Sequence, residues 1–185
     1  MNIALRKPMT LQQFLAWEDR QELRYEFDGF APIAMTGGSV GHARIQRNPT
    51  FSLTSRLRGK PCEFVGSDLK FRVAEDRIRY PDGMLVWSPV ARTATLVGDR
   101  VIVFEVLSPS TGGYDRIVKA REYEATPPVQ RYVMLEQDCI AAVVYVRGEA
   151  AWTHELLVAD SILALPEIGV ELPLAELYEG IDLGE

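Results

Sequence analysis

VIVFEVLS (101–108), followed through SPSTGG (108–113) by YDRIVKAREYEA (114–125), is the stretch that decides the fold. The first run is apolar at consecutive positions, the pattern of a central strand covered on both faces. Alternation places Val101, Val103, Glu105 and Leu107 on one side, so a carboxylate interrupts an apolar row. Burying an unpaired charge is expensive, and Glu105 therefore needs a cation, a donor or a proton. A buried arginine is the plainest structural partner. The segment 114–125 is a helix that Pro127-Pro128 must end. As it returns over the sheet, it can aim Lys119 at the strand just left. The plainer reading of Lys119 is an exposed i,i+4 pair with Asp115, contributing only a few tenths of a kcal/mol. The glycine-rich SPSTGG is first a turn and only second a phosphate-facing loop.

Upstream, RYPDGMLVWS (79–88) enters a strand at its proline, which places Asp82 at a sheet margin. Pro-Asp-Gly alone is an ordinary turn signal. Beside Glu105 it gains meaning, because carboxylates on neighbouring strands can share a hard cation such as Mg²⁺. CEFVG, DLKFRVA, GMLVWS and VIVFEVLS are the strands of the expected sheet, continued by QRYVMLEQ and IAAVVYVRG around a turn at Gln137 to Cys139 and extended by AWTHELLVA. Thr10 caps a short amphipathic helix up to Asp19, and RYEFDGFAPIAMTGG forms a hairpin ending in Gly-Gly. Residues 39–57 are helical in pattern, but Asn48-Pro49 predicts a break with Asn48 capping a second piece. LPLAELYEG closes the chain with a helical turn.

With 185 residues, 47% apolar and 25% charged, the chain has the size of one domain, 1–185. No stretch approaches the roughly 18 apolar residues of a membrane span, and the start lacks a signal-type apolar region, so a cytoplasmic protein without membrane attachment is expected. Cys62 and Cys139 stand apart, without a zinc pattern, and are expected as buried thiols. The net charge of −6 argues against a nucleic-acid partner. Its distribution reverses that: Gly148 to Glu185 holds nine carboxylates and no Lys or Arg, leaving +3 on the first 147 residues. Between Gly29 and Cys62 there is no acid, only Arg44, Arg47, Arg56, Arg58 and Lys60. Such asymmetry marks either a nucleic-acid contact or a solvated helix face. The acidic segment 148–185 is expected away from that contact, covering a sheet edge or joining subunits through Leu156, Leu157, Ile162 and Leu163. The alternative has it masking the arginines.

The order YEFDG, TGGSVGH, RYPDG, EVLSPST, DRIVKAREY and PPVQRYVMLEQ resembles the Uma-two family of restriction endonucleases, within the PD-(D/E)XK nuclease superfamily. The resemblance covers about residues 9 to 147, and EVLSPST followed by D-R-x-x-K-x-x-x-Y carries most of it. It implies an α/β (α+β) restriction-endonuclease-like core sheet flanked by helices, with an N-terminal helix and hairpin and extra C-terminal strands. It implies a Mg²⁺-dependent DNA endonuclease, with Mn²⁺ able to substitute; a homo-oligomer, a dimer, is the expected assembly. Asp82 and Glu105 become metal ligands. The superfamily lysine normally stands two residues after the acid, where this chain has Leu107; Lys119 on the next helix takes its place as the catalytic candidate. Glu26 and His42 match family positions that line the site, and Arg44, Arg47, Arg56 and Arg58 become phosphate contacts. Two features depart from the family pattern: the Asn48-Pro49 interruption, and Gly83 after Asp82 in place of a β-branched residue. The competing reading is a catalytically silent nuclease-like fold that binds proteins or dimerises. A carboxylate-pair glycosidase fits less well, because such sites need no lysine and are rich in aromatic platforms.

Overall fold

The computed structural model describes residues 8–35, 37–87, 90–97, 101–108 and 112–183. Its centre is a six-stranded mixed sheet in the order β11-β10-β9-β8-β6-β3. These strands are Trp152–Val158, Ala141–Arg147, Val129–Leu135, Val101–Val106, Gly83–Trp87 and Cys62–Gly66. Strand β8 pairs parallel with β9 and antiparallel with β6, and all six of its residues are buried. The expected two-faced strand is there, and its faces divide as alternation requires. Ile102, Phe104 and Val106 enter one core, whereas Val101, Val103 and Leu107 enter the other.

The strands of the middle segment do not form a single sheet. Lys70–Val73 (β4) joins Tyr25–Phe27 (β1), Pro32–Ala34 (β2), Arg77–Arg79 (β5) and Leu96–Val97 (β7) in a separate five-stranded sheet, ordered β2-β1-β5-β4-β7. Two of these, β5 and β7, are three and two residues long, too short to carry a period-2 pattern. Ile162–Leu165 (β12) and Val170–Pro173 (β13) add a small hairpin that the sequence reading left unassigned.

Thr10 caps helix α1, Leu11–Glu18, through a full capping box with Gln13. Helix α2 runs unbroken from Val40 to Arg56 through Pro49, correcting the expected break. Proline removes a helical hydrogen bond and crowds the preceding turn, a cost of about 3 kcal/mol. Here Ile45, Pro49, Ser52 and Leu53 share a buried face, and apolar burial at this face offsets the cost. Asn48 caps no second helix. Its amide donates instead to the carbonyls of Leu177 and Glu179, tying α2 to the terminal 3₁₀ turn Leu174–Tyr178. Cap duty falls to Ser39, whose hydroxyl accepts from the His42 amide.

Helix α3 follows β8 in three pieces: an α turn Gly112–Tyr114, a π-helical turn Asp115–Lys119 and an α segment Ala120–Glu124. It packs Ala120 and Tyr123 on one face of the central sheet with Phe71 and Val73 of β4, while α2 and the β12–β13 hairpin cover the other. Gly83 is required by its surroundings. A Cβ there would lie 2.3 Å from the tip of the Phe64 ring, which explains why no β-branched residue follows Asp82. Cys62 is buried as expected, but Cys139 is exposed, because it sits in the β9–β10 turn. Among the described residues no helix is long and apolar enough to cross a membrane.

Candidate active site

Strands β1, β6 and β8 and helices α2 and α3 converge on a cleft of about 590 Å³ lined by Glu26, His42, Asp82, Glu105, Asp115 and Lys119 among others. The register Gly83↔Phe104 brings Asp82, one residue before β6, alongside the end of β8. There its Oδ2 accepts from the Val106 amide at 2.7 Å and lies 3.2 Å from His42 Nε2, while Oδ1 accepts from Gln46 Nε2 at 3.1 Å. A carboxylate tied to strand, helix and imidazole has little rotamer freedom left.

Glu105 reaches into the cleft from the neighbouring strand. Its Oε1 accepts from Lys119 Nζ at 2.8 Å and from the Tyr123 hydroxyl at 3.0 Å. The partner that the buried position demands is thus a lysine. Lys119 also lies 3.2 Å from Asp115 Oδ1 and 3.7 Å from Glu26 Oε1. The i,i+4 pair with Asp115 therefore forms, but inside the protein, with Asp115 only 2% exposed. The π-helical turn contributes to this placement by bringing both its first and last residues inward; such turns recur at functional sites.

Behind the cleft stands Arg79, with no exposed surface. It forks onto Glu122 at 2.7 Å through Nε and again through NH2, and donates to Glu26 Oε2 at 3.1 Å and to the Tyr114 hydroxyl at 2.9 Å. Four of its five donor hydrogens are committed. Glu26 also accepts from the Tyr80 amide, so it is fixed between Arg79 and the cleft.

The site is electrostatically lopsided, with Glu26, Asp82, Glu105 and Asp115 facing the single ammonium of Lys119. Burial raises the Glu105 carboxyl; Lys119 pulls it down, but Asp82, Asp115 and Glu26 push it up again, and it settles at about 8. Burial alone would lower Lys119, yet Glu105, Glu26 and Asp115 hold it well above an ordinary lysine. The hydrogen bond to Asp82, partly offset by burial, raises His42. A carboxyl raised on folding binds a proton that the unfolded chain releases, so its contribution is present at low pH and falls away as pH climbs through the window from about 4.5 to 8. Lys119, raised above 10.5, contributes no slope there. In chelator, urea midpoints should fall from pH 5 to pH 8, and Glu105→Gln should flatten that slope; an equally steep variant would locate the titration elsewhere.

Whether these groups suit a divalent ion can be judged from their chemistry. Two hard carboxylates stand beside each other, Glu105 on β8 and Asp82 at the entry to β6, anionic groups outnumber cations, and Asp115 Oδ1 is buried without a hydrogen bond, its charge met by Lys119 alone among the described neighbours. Among the described residues no three Asp, Glu, His or Cys side chains form a closed cage. Mg²⁺ needs none, being held by one or two carboxylates with water and substrate phosphate. The site fits such an ion.

The structure therefore brings together Asp82, Glu105, Lys119, Glu26 and His42. It leaves the basic residues outside the cleft: Arg44, Arg47 and Arg58 are exposed, whereas Arg56 pairs with Glu176 at 2.8 Å. No residue of 148–183 lines the cleft. Strand β11 covers the sheet edge, and Leu157 and Leu163 are spent in the core, so of the four expected contact leucines and isoleucine only Leu156 and Ile162 face outward. Glu176 nonetheless takes one arginine out of play, as the masking alternative would have it. Sequence reasoning missed Asp115, Tyr123, Gln46 and Arg79. For the first two a signal existed, since D-R-x-x-K-x-x-x-Y sets Asp115, Lys119 and Tyr123 on one helical face. Half of SPSTGG, residues 109–111, lies outside the described residues.

The Uma2 family model, described as "Putative restriction endonuclease", matches residues 11–175. A protein of Synechocystis sp. described as uncharacterized is 30% identical over 176 residues, covering 94% of this chain and 93% of its own. A second from the same organism is 27% identical, covering 87% and 94%. The crystal structure of "a putative nuclease belonging to DUF820" from Anabaena variabilis superposes with a TM-score of 0.72 at 18% identity, covering 92% of this chain and 98% of that one. At that identity the likeness bears on the fold.

Proposed function

This chain belongs to the Uma2 family, and from that premise we propose that it is a divalent-metal-dependent DNA endonuclease hydrolysing phosphodiester bonds. One observation carries the reading: Asp82 and Glu105 stand side by side at the cleft with Lys119 Nζ 2.8 Å from Glu105. Asp82 and Glu105 would hold Mg²⁺, which supplies a polarised phosphate and a water of lowered pKa. Every other task falls to groups of the chain itself. The Val106 amide, Gln46 and His42 fix Asp82, and Tyr123 fixes Glu105. Lys119, cationic throughout the working range, orients the attacking water and meets the negative charge that grows on the phosphoryl oxygens. Protonation of Glu105 below about pH 8 competes with cation binding, so activity should rise with pH toward that value.

Purified protein incubated with supercoiled plasmid tests this directly. Mg²⁺ or Mn²⁺ should yield nicked or linear DNA, and chelator should stop it. Titration calorimetry should show Mn²⁺ binding that Asp82→Ala removes. Absence of divalent binding at millimolar ion, or cleavage that persists in chelator, would overturn the proposal.

A further inference from the structure

The outer face of α2 combines features that the cleft does not use. Val40, Arg44, Arg47, Phe51 and Arg58 recur at intervals of three, four and seven, which at 100° per residue puts them on one stripe. All five are exposed, with Val40 at 70% and Phe51 at 79%. Arg58 lies just past the helix end. None of the five lines the cleft, whose α2 residue His42 stands about 160° round the helix from Val40. The stripe lies within the acid-free segment from Gly29 to Cys62. A phenylalanine so exposed, set between arginines, contributes little to the core. In a track for a polyanion, however, an aromatic ring offers a face on which a base can stack, worth much more than a phosphate contact in discriminating unpaired bases.

We propose that this stripe is a docking track for nucleic acid with unpaired bases, in which Arg44 and Arg47 hold successive phosphates and Phe51 stacks one base. The inference rests on the nuclease reading and narrows its substrate to single-stranded, gapped or branched DNA. From Arg44 to Phe51 the helix rises about 10 Å, room for a short run of nucleotides. Charge complementarity selects the occupant: the stripe carries arginines and no acid, so it fits the closely spaced phosphates of a polyanion. In a duplex every base is paired and stacked, leaving Phe51 nothing to receive. Binding of fully paired DNA would then depend on the arginines alone.

The test measures binding in chelator, so that cleavage does not enter. The probes are a short single-stranded oligonucleotide containing 2-aminopurine and the corresponding blunt duplex. The parent should quench 2-aminopurine on binding. Phe51→Ala should lose the quenching and weaken single-strand binding by about tenfold, with duplex binding unchanged, and Phe51→Trp should retain both. Arg47→Gln should weaken both probes and reduce the salt dependence. Equal effects of Phe51→Ala on both probes, or none on either, would overturn the proposal. So would sedimentation showing that Phe51→Ala dissociates an oligomer, which would assign the face to a second copy. Quenching without metal-dependent cleavage would sink the endonuclease reading alone; cleavage without quenching would sink this inference alone.

Discussion

Lys119→Met is expected to reduce DNA cleavage by about 10²–10³-fold, the usual loss when one preorganised charge aimed at a developing anion is removed. Metal binding should survive, because an ammonium is not a ligand. The comparison must be made with attention to pH. Lys119 is the cation that pulls the Glu105 carboxyl down against burial and against Asp82, Asp115 and Glu26. Without it Glu105 holds its proton more tightly, and the variant should need a higher pH to bind Mn²⁺ as the parent does. Methionine preserves the length and apolar stem of the side chain, so the void left behind is small. The expected pattern is a loss in kcat that raising pH and metal concentration cannot restore. An active variant would return Lys119 to a neutralising role between Glu105 and Asp115, with the chemistry carried elsewhere.

What could be read from the chain before its structure was known follows from how local each cause is. VIVFEVLS announced a central strand because burial on both faces leaves a continuous apolar run, and Glu105 stood out because nothing else from Val101 to Leu107 is polar. Asp82 was legible only as its neighbour across the sheet. Pro49 was misread, since the propensity penalty is local and its compensation, a buried face shared with Ile45 and Leu53, comes from distant elements. The division into two sheets was likewise invisible, because β5 and β7 are too short to show a period and are held by pairings such as Phe71↔Arg79 and Lys70↔Leu96. By spacing alone Lys119 looked like half of a surface pair, and only the family resemblance made it a catalytic candidate. The pair exists, yet a helix that tightens into a π turn carries both of its members indoors. Arg79 was read as nothing at all, because its partners lie 53 and 43 residues away in sequence.

That arginine supports the largest expected loss of stability. Arg79→Met should destabilise the protein by about 3–5 kcal/mol, the range for breaking a buried ion pair by removing one partner. At about 2–4 °C per kcal/mol for a chain of this size, the melting temperature should fall by roughly 10 °C. The cost arises from what stays behind: Glu122 loses a two-pronged cation, and Glu26 keeps the Tyr80 amide as its remaining donor there. Arg79→Lys should recover little, since an ammonium cannot span the two oxygens of Glu122 while reaching Glu26 and Tyr114. Arg79→Met with Glu122→Gln should recover part of the loss, because one of the two carboxylate charges that lose Arg79 is then gone, and the departure from additivity measures the coupling of the pair. The fold would not be the only casualty. Arg79 holds β1, through Glu26, against α3, through Tyr114 and Glu122, and Lys119 lies 3.7 Å from that same Glu26. Released from Arg79, Glu26 becomes a stronger competitor for the Lys119 ammonium and draws it from Glu105. Arg79→Met should therefore shift the pH profile of cleavage upward at temperatures where the variant remains folded. A loss below about 1 kcal/mol, the range of a surface pair, with an unchanged pH profile would mean that neither carboxylate depends on Arg79.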